Sequence, residues 1–431
     1  MIKFVFKNTK SILVGLVFFY SIVIFAHPMP NSVIALDVKS NSISCELQLP
    51  LKELQFAVPF DVTQNTINLI KNHQQDLSNY ILSHFSIQGN SDSKWSLVIQ
   101  KIILAKSKQE ATGLYQELLV TILISPNPKD DLRSFIINYD AIVHQVVTHR
   151  TIVTIRQDWK NGQIGEKNTE IGTISIDVDS NKVLPFKVNL SKGSNWKGFK
   201  SMVALGMKHI AEGTDHLLFL LVVLLSAPLI SNGKKWIGSG GTKYSLIRIL
   251  KIVTAFTIGH SITLIIGSFG LINPNTKWVE VVIALSILFT AIHAIKPIFT
   301  NKEIYIAGSF GLIHGLAFAA ILSDLNLETN KLILSLLGFN IGIEIMQLFV
   351  IFLVIPWLLL LSSYKIYKWV CIFGAAFAAI AAISWTLERY NGESNFVSTL
   401  ILKTSAYSLC LVFCLACFTI LFILLKKEKR V

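Results

Sequence analysis

Residues 206–221 read Gly-Met-Lys-His-Ile-Ala-Glu-Gly-Thr-Asp-His-Leu-Leu-Phe-Leu-Leu, and two properties that seldom occur together meet in them. The stretch belongs to an apolar run over 201–230, long enough to cross the roughly 30 Å of hydrocarbon in a bilayer. It also carries His209, Glu212, Asp215 and His216. Ionisable groups in hydrocarbon are costly unless they are paired, hydrated or bound to metal. His209, Glu212 and His216 stand at i, i+3 and i+7, one stripe of a helix, with Asp215 beside it. The stretch therefore predicts a membrane helix that holds a polar site.

Six more apolar runs follow, at 249–272, 278–296, 303–323, 331–361, 366–387 and 398–425, the fifth overlong and containing Pro356. They explain the composition of the 431 residues: 52% hydrophobic, 15% charged and a mean hydropathy of +0.56. Soluble chains carry about a quarter charged residues. The net charge of +13 is spread unevenly. Residues 1–26 hold three basic and no acidic residues, 27–198 hold 17 and 16, and 199–431 hold 19 and 10. No basic segment stands apart from the apolar ones, which argues against a nucleic-acid partner. The basic residues of the membrane segment cluster in alternate loops, at Lys234, Lys235, Lys243 and Arg248, at Lys296 and Lys302, at Lys365 and Lys368, and in the tail 426–431. An outside start, seven spans and a cytoplasmic end satisfy the positive-inside rule in every loop.

The N-terminus supplies that outside start. Lys3, Lys7 and Lys10 precede an apolar core from Ile12 to Phe25, and Ala26 closes it, the layout of a signal peptide over 1–26. Residues 27–195 would then be exported. There the apolar period is two: Ile43, Cys45, Leu47 and Leu49 alternate with polar residues, and further short β-rich runs occur at 118–124, 135–139, 152–155 and 171–178. A helical piece interrupts them near 63–85. The expectation is an exported, mainly-β, sandwich-like domain followed by an all-α bundle of about seven transmembrane helices over 199–425. Cys45 is the one cysteine of the exported segment, so no internal disulfide can form there. His144 and His149 are five apart on a strand-like stretch and are expected on opposite faces.

Polar groups recur inside the later spans. The second carries His260, the third Glu280 and His293, the fourth His314 in Phe310-Gly-Leu-Ile-His-Gly315, and the fifth Glu344 and Gln347 in Phe339-Asn-Ile-Gly-Ile-Glu-Ile-Met-Gln347. Imidazole and carboxylate ligands suit borderline divalent cations, whereas calcium or magnesium would call for oxygens alone. The candidate metal-handling residues are His209, Asp215, His216, His260, His314 and Glu344. Glu212, Gln347, Glu280 and His27 are secondary candidates. His27 would follow the cut directly, where its amine and imidazole could chelate a cation together. Glycines at 206, 213, 259, 311, 315 and 342 flank these residues and would let helices approach closely.

At these residues the sequence resembles the HupE/UreJ family of membrane proteins associated with nickel supply to hydrogenase and urease. His209 to His216 is similar to that family's first-span pattern of histidine, five residues, then aspartate and histidine, and 310–315 and 339–347 resemble it as well. By resemblance His209, Asp215 and His216 matter for metal movement. One motif departs: Phe310-Gly311 lacks the histidine that the family's nickel permeases place there, and Ala317 stands where a glutamate is expected. Glu344 is the candidate replacement.

The function expected is a permease for a divalent transition metal, nickel first, with zinc, cobalt or copper as alternatives. Its setting is a bacterial inner membrane, with the N-terminal domain periplasmic and the C-terminus cytoplasmic. Its partners are the lipid bilayer, the metal ion and a metal-delivery or metalloenzyme-maturation protein. No nucleotide-binding loop occurs to drive it. The alternatives are a membrane-embedded zinc hydrolase, with Asp215 or Glu344 as general base, and a sensor or assembly protein acting through the exported domain.

Overall fold

The alternating residues 43–49 do form a strand, and the sheet around it organises the N-terminal region. A computed structural model describes residues 29–64, 66–89, 93–109, 113–233, 235–272, 275–324, 327–405 and 407–428, so the signal-peptide segment and His27 lie outside the described residues. Two units are distinguished: Met1–Asp37, Asn41–Ile155 and Asn168–Leu190 form the first, and Val38–Ser40, Arg156–Lys167 and Ser191–Val431 the second.

In order, the N-terminal elements are β1 (Ser32–Val38), β2 (Ile43–Pro50), α1 (Leu51–Leu54), α2 (Thr66–His84), β3 (Phe85–Gln88), β4 (Ser96–Gln109), β5 (Gly113–Ser125), β6 (Ser134–Tyr139), β7 (Thr151–Asp158), β8 (Gln163–Ile174), β9 (Ile176–Asp177), β10 (Lys182–Val183) and β11 (Phe186–Asn189). One sheet has six strands in the order β4-β5-β2-β1-β7-β8 and another has three, β11-β6-β3. In the first, Ile43 pairs with Ile124, Cys45 with Ile122, Leu47 with Val120 and Leu49 with Leu118. All eight side chains are fully buried, so the register puts these four apolar residues of each strand on one face. The smaller sheet buries Phe85, Ile87, Phe135, Ile137 and Tyr139. Tyr139 lies against Ser32 and Thr151 of the larger one. The region is mainly β, as its period predicts.

Residues 141–149, expected as strand-like, are turns instead. His149 is buried with its Nε2 2.8 Å from Ser32 Oγ and its Nδ1 3.7 Å from Glu53 of α1, also buried. Burial disfavours charge on both, pushing Glu53 up and His149 down to about 4.

The second unit is helical: α3 (Asn195–Glu212), α4 (Thr214–Ser226), the hairpin strands β12 (Leu229–Asn232) and β13 (Lys235–Ser239), then α5 (Gly241–Ser268), α6 (Thr276–Ile295), α7 (Glu303–Asp324), α8 (Thr329–Ser362), α9 (Tyr367–Asn391), α10 (Phe396–Ser405) and α11 (Ser408–Glu428). Among the described residues five helices are long and apolar enough to cross a membrane, and α3 with α4 passes as a sixth if the bent pair is one span. The apolar helix Glu303–Ala319 within α7 is shorter, and with it the seven expected runs are roughly matched. Two runs differ from simple expectation. The first is broken by a 70° bend at Gly213. The last divides into α10 and α11, of which only the second passes as a span. Pro356 lies inside α8 without ending it.

The helices pair closely. A side chain at Gly311 of α7 would collide with the Phe256 carbonyl and the His260 amide of α5, so this crossing needs a glycine. Arg248 of α5 donates to the carbonyls of Ser226, Ala227 and Leu229, which close the end of α4, and to Glu303 at 2.7 Å. Trp236 of the hairpin donates to Ala294 O at 3.0 Å. Large apolar side chains such as Leu409, Leu411, Phe413 and Phe352 face outward, which suits contact with lipid.

His149 yields a pH prediction. Its folded pKa lies below the unfolded value, so the folded state resists protonation that the unfolded state accepts. The stability it contributes is complete above about pH 6.5 and declines as the pH falls towards 4. His149→Gln should shrink the drop in the N-terminal domain's melting temperature between pH 7 and 5. Thermal unfolding followed by circular dichroism at both pH values checks this, and an unchanged drop would refute it.

Candidate metal site

The bend at Gly213 brings the signature residues together. His209 occupies the last turn of α3, Asp215 and His216 the first turn of α4, and Gly213 joins them at φ −71°, ψ 92°. Its carbon is tightly enclosed: a Cβ there would lie 2.6 Å from the His209 carbonyl and 2.8 Å from His216 Nδ1. His209 and His216 therefore meet across a corner, with ring centroids 4.6 Å apart, and do not lie along one straight stripe. Glu212, the third member of the expected stripe, is exposed and 3.8 Å from Lys208.

His260 enters from α5 with its ring 6.1 Å from that of His209 and 6.5 Å from that of His216. Candidate ligand atoms of His209, His216 and His260 all lie within 4.8 Å of one another. His314 of α7 adjoins them, 5.1 Å from His216. His260 and His314 are at most 1% exposed. Phe318 and Phe339 wall the His209 side at 4.5 and 5.4 Å, and Phe256 lies 5.1 Å from His314.

The hydrogen bonds define which nitrogens are free. His216 Nδ1 donates to Asp215 Oδ1 at 2.9 Å, which leaves Nε2 with its lone pair. Ser286 donates its one proton to Ile283 O at 2.7 Å and so accepts from His314 Nε2 at 3.2 Å, which leaves the lone pair on His314 Nδ1. His209 Nε2, His216 Nε2, both nitrogens of His260 and His314 Nδ1 are buried without a hydrogen-bond partner. Unpaired buried polar atoms are rare because each costs about 1–3 kcal/mol, and here several converge. A borderline divalent cation is a group that such nitrogens can bind.

Asp215 supports the cluster from behind. Oδ1 accepts from the His216 backbone amide and ring, both at 2.9 Å, and Oδ2 accepts from Arg389 of α9 at 3.3 Å. Arg389 also donates to the Glu280 carbonyl at 3.1 Å, and its Nε is 3.7 Å from the Glu280 carboxylate. Carboxylate–imidazole pairs of this kind fix the ring and raise its basicity towards a metal. Glu344 and Gln347 form a different group: Thr257 donates to Glu344 Oε2 at 2.8 Å and lies 3.0 Å from Gln347 Oε1, and neither side chain bonds an imidazole. His293 accepts from the amides of Ile298 and Phe299 at 3.1 Å, shaping the turn between α6 and α7.

Arg389 and Ser286 did not stand out in the sequence. Arg389 reads there as a loop residue at the end of a span, and a serine in an apolar run is common. Their roles depend on partners 174 and 28 residues away.

The second unit is thus a bundle of apolar, membrane-length helices with a buried imidazole cluster backed by a carboxylate. Residues 187–389 match the family model described as HupE / UreJ protein, so this membrane segment is similar to a family associated with metal transport in general. No curated protein and no solved structure matches the chain.

Asp215→Asn should leave His216 without its ionic partner and Arg389 with Glu280 alone. Nickel affinity of the purified protein is expected to fall about 10- to 100-fold, the usual effect of losing such an outer partner, with helical content retained. Gly213→Val should abolish the same binding by forcing His209 and His216 apart. Calorimetric titration reads both, and wild-type affinity in either variant would contradict the geometry described.

Proposed function

We propose that the chain is a permease for a divalent transition-metal cation, nickel in the first place, with cobalt, copper and zinc as competitors for the same ligands. The observation that carries this reading is the convergence of His209, His216 and His260 within 4.8 Å with partnerless nitrogens in an apolar surround. The imidazoles supply the ligands, and Asp215 orients His216. His314 offers its Nδ1 beside them as a neighbouring station.

The charge balance suits transit. Three neutral imidazoles bring no negative charge, and that of Asp215 is offset by Arg389. A dication is then held by coordination alone against the cost of entering a low dielectric, so binding is moderate and the ion can leave. A hydrolase would need a carboxylate free to take a proton from metal-bound water. Asp215 is engaged by His216 and Arg389, and Glu344 by Thr257, which favours the permease.

With the N-terminal domain on the periplasmic side of a bacterial inner membrane and the C-terminus in the cytoplasm, the cation would move inward. A dication crossing about 100 mV, negative inside, gains about 4.6 kcal/mol. That corresponds to about a thousandfold accumulation, so uptake requires no nucleotide. On the cytoplasmic side a metal-delivery or metalloenzyme-maturation protein would take the ion.

Cells expressing wild type or His216→Ala at equal membrane levels are to be compared for metal content by mass spectrometry. The wild type should accumulate nickel several-fold over the variant. Equal content of every divalent metal in the two strains would end this reading.

A further inference from the structure

On one side of the imidazole cluster the bundle is layered, and helical spacing sets the layers. Phe256 and Phe310 each stand four residues before a histidine of the cluster, His260 on α5 and His314 on α7, and Phe219 stands three residues after His216 on α4. Each phenylalanine is therefore one turn from its histidine on the same helical face. The rings meet one another: Phe219 lies 5.0 Å from Phe256 and 6.2 Å from Phe310 between centroids. Phe219 and Phe256 also lie against the cluster, 5.8 and 5.1 Å from His314. Both are buried. Three aromatic rings thus cover the imidazoles on this side.

Beyond them lies a small cavity of about 30 Å³, whose wall includes Phe219 and Phe310 and, farther along the same helices, Ser226 of α4 and Glu303 of α7. Thr290 and His293 of α6 add to its polar side. A space of that size holds about two waters. The hydroxyl protons of Ser226 and Thr290 go to carbonyls of their own helices, Val223 O at 3.1 Å and Ser286 O at 2.8 Å, which leaves oxygen lone pairs over. His293 accepts two amides on Nδ1, so its proton sits on Nε2, 3.7 Å from Glu303 Oε1 and without a hydrogen-bond partner. Glu303 also accepts from Arg248 at 2.7 Å and is partly exposed. The cavity is therefore polar towards the end of the bundle and bounded by aromatic rings towards the imidazoles.

We propose that Phe219, Phe256 and Phe310 are the gate of the cation path, and that an ion leaving the imidazole cluster passes between these rings into the cavity beside Glu303. The gate presupposes the transport reading and gives it a route. A constriction of apolar side chains shuts a path by excluding water. While the rings are packed, water does not bridge the cluster to the cavity, and the partnerless imidazole nitrogens keep their lone pairs for the metal. Once past the rings, the ion meets water and a carboxylate in place of imidazole, a weaker set of ligands for a borderline cation. Arg248 offsets the charge of Glu303, so the ion is not retained there. The loops with Lys235, Lys296 and Lys302 adjoin this end of α4, α6 and α7. In the orientation proposed above it is the cytoplasmic end, and the gate controls exit.

The test uses the full chain in lipid vesicles that enclose a nickel-responsive dye, with NiCl₂ outside and a potential negative inside. Phe310 is the residue to change, because it is only half-buried and its replacement disturbs the core least. Phe310→Ala should raise the initial rate of nickel entry several-fold, and Phe310→Trp should lower it several-fold. Nickel affinity measured calorimetrically should stay at the wild-type value in both, which also shows that both are folded. A ring that serves packing alone would give slower entry in both variants or a change in neither, and either result overturns the gate while leaving the transport reading standing. Glu303→Gln should slow entry several-fold and Glu303→Asp should restore most of it. Equal rates in wild type and Glu303→Gln would overturn the cavity as the route. Wild-type entry no faster than in protein-free vesicles would overturn the transport reading itself, and the gate with it.

Discussion

A histidine buried in a membrane bundle has two ring nitrogens to satisfy and little water with which to do it. That constraint governs the second unit. His293 meets it on one nitrogen, its Nδ1 accepting two backbone amides, and His314 meets it on one through Ser286. Around the corner at Gly213, His209 Nε2, His216 Nε2 and both nitrogens of His260 remain without partners in one neighbourhood. An arrangement that forgoes several hydrogen bonds in one place is unfavourable by itself and becomes favourable when a cation supplies the missing interaction.

The surrounding structure keeps these nitrogens from finding alternative partners. The corner at Gly213 sets His209 against His216, and its tight enclosure leaves no room for a side chain. Close crossing of α5 and α7 at Gly311 brings His260 and His314 to the same depth as that corner. The Asp215–Arg389 pair then holds the His216 ring while presenting little net charge. Removing Arg389 would leave Asp215 with His216 alone in a largely buried position, whereas Arg389 without Asp215 would still face Glu280.

In the N-terminal unit, histidines are treated differently according to burial. His149 is enclosed with Glu53 and Ser32 and is held towards its neutral form by desolvation. His84 and His144 face a polar cavity and stack on one another. The same side chain serves as a packed core group in one place and lines a cavity in the other.

Periodicity alone determined much of this protein. Alternation at residues 43–49 specified a half-buried strand because side chains in a strand alternate faces, and long apolar runs specified membrane helices because the hydrocarbon thickness requires about 20 residues. The residue types inside those runs also identified His209, Asp215, His216, His260 and His314, since charge in hydrocarbon is conspicuous wherever it falls. Glu344, equally conspicuous, turned out to be bonded to Thr257 and separate from the imidazoles, because depth in a span does not say which way a side chain points. Only the tertiary structure decided that the first span bends, that Asp215 is paired with Arg389, and that His84 and His144 share a cavity. Each of these depends on contacts between residues distant in the chain, and local spacing carries no information about which distant partner a side chain will meet.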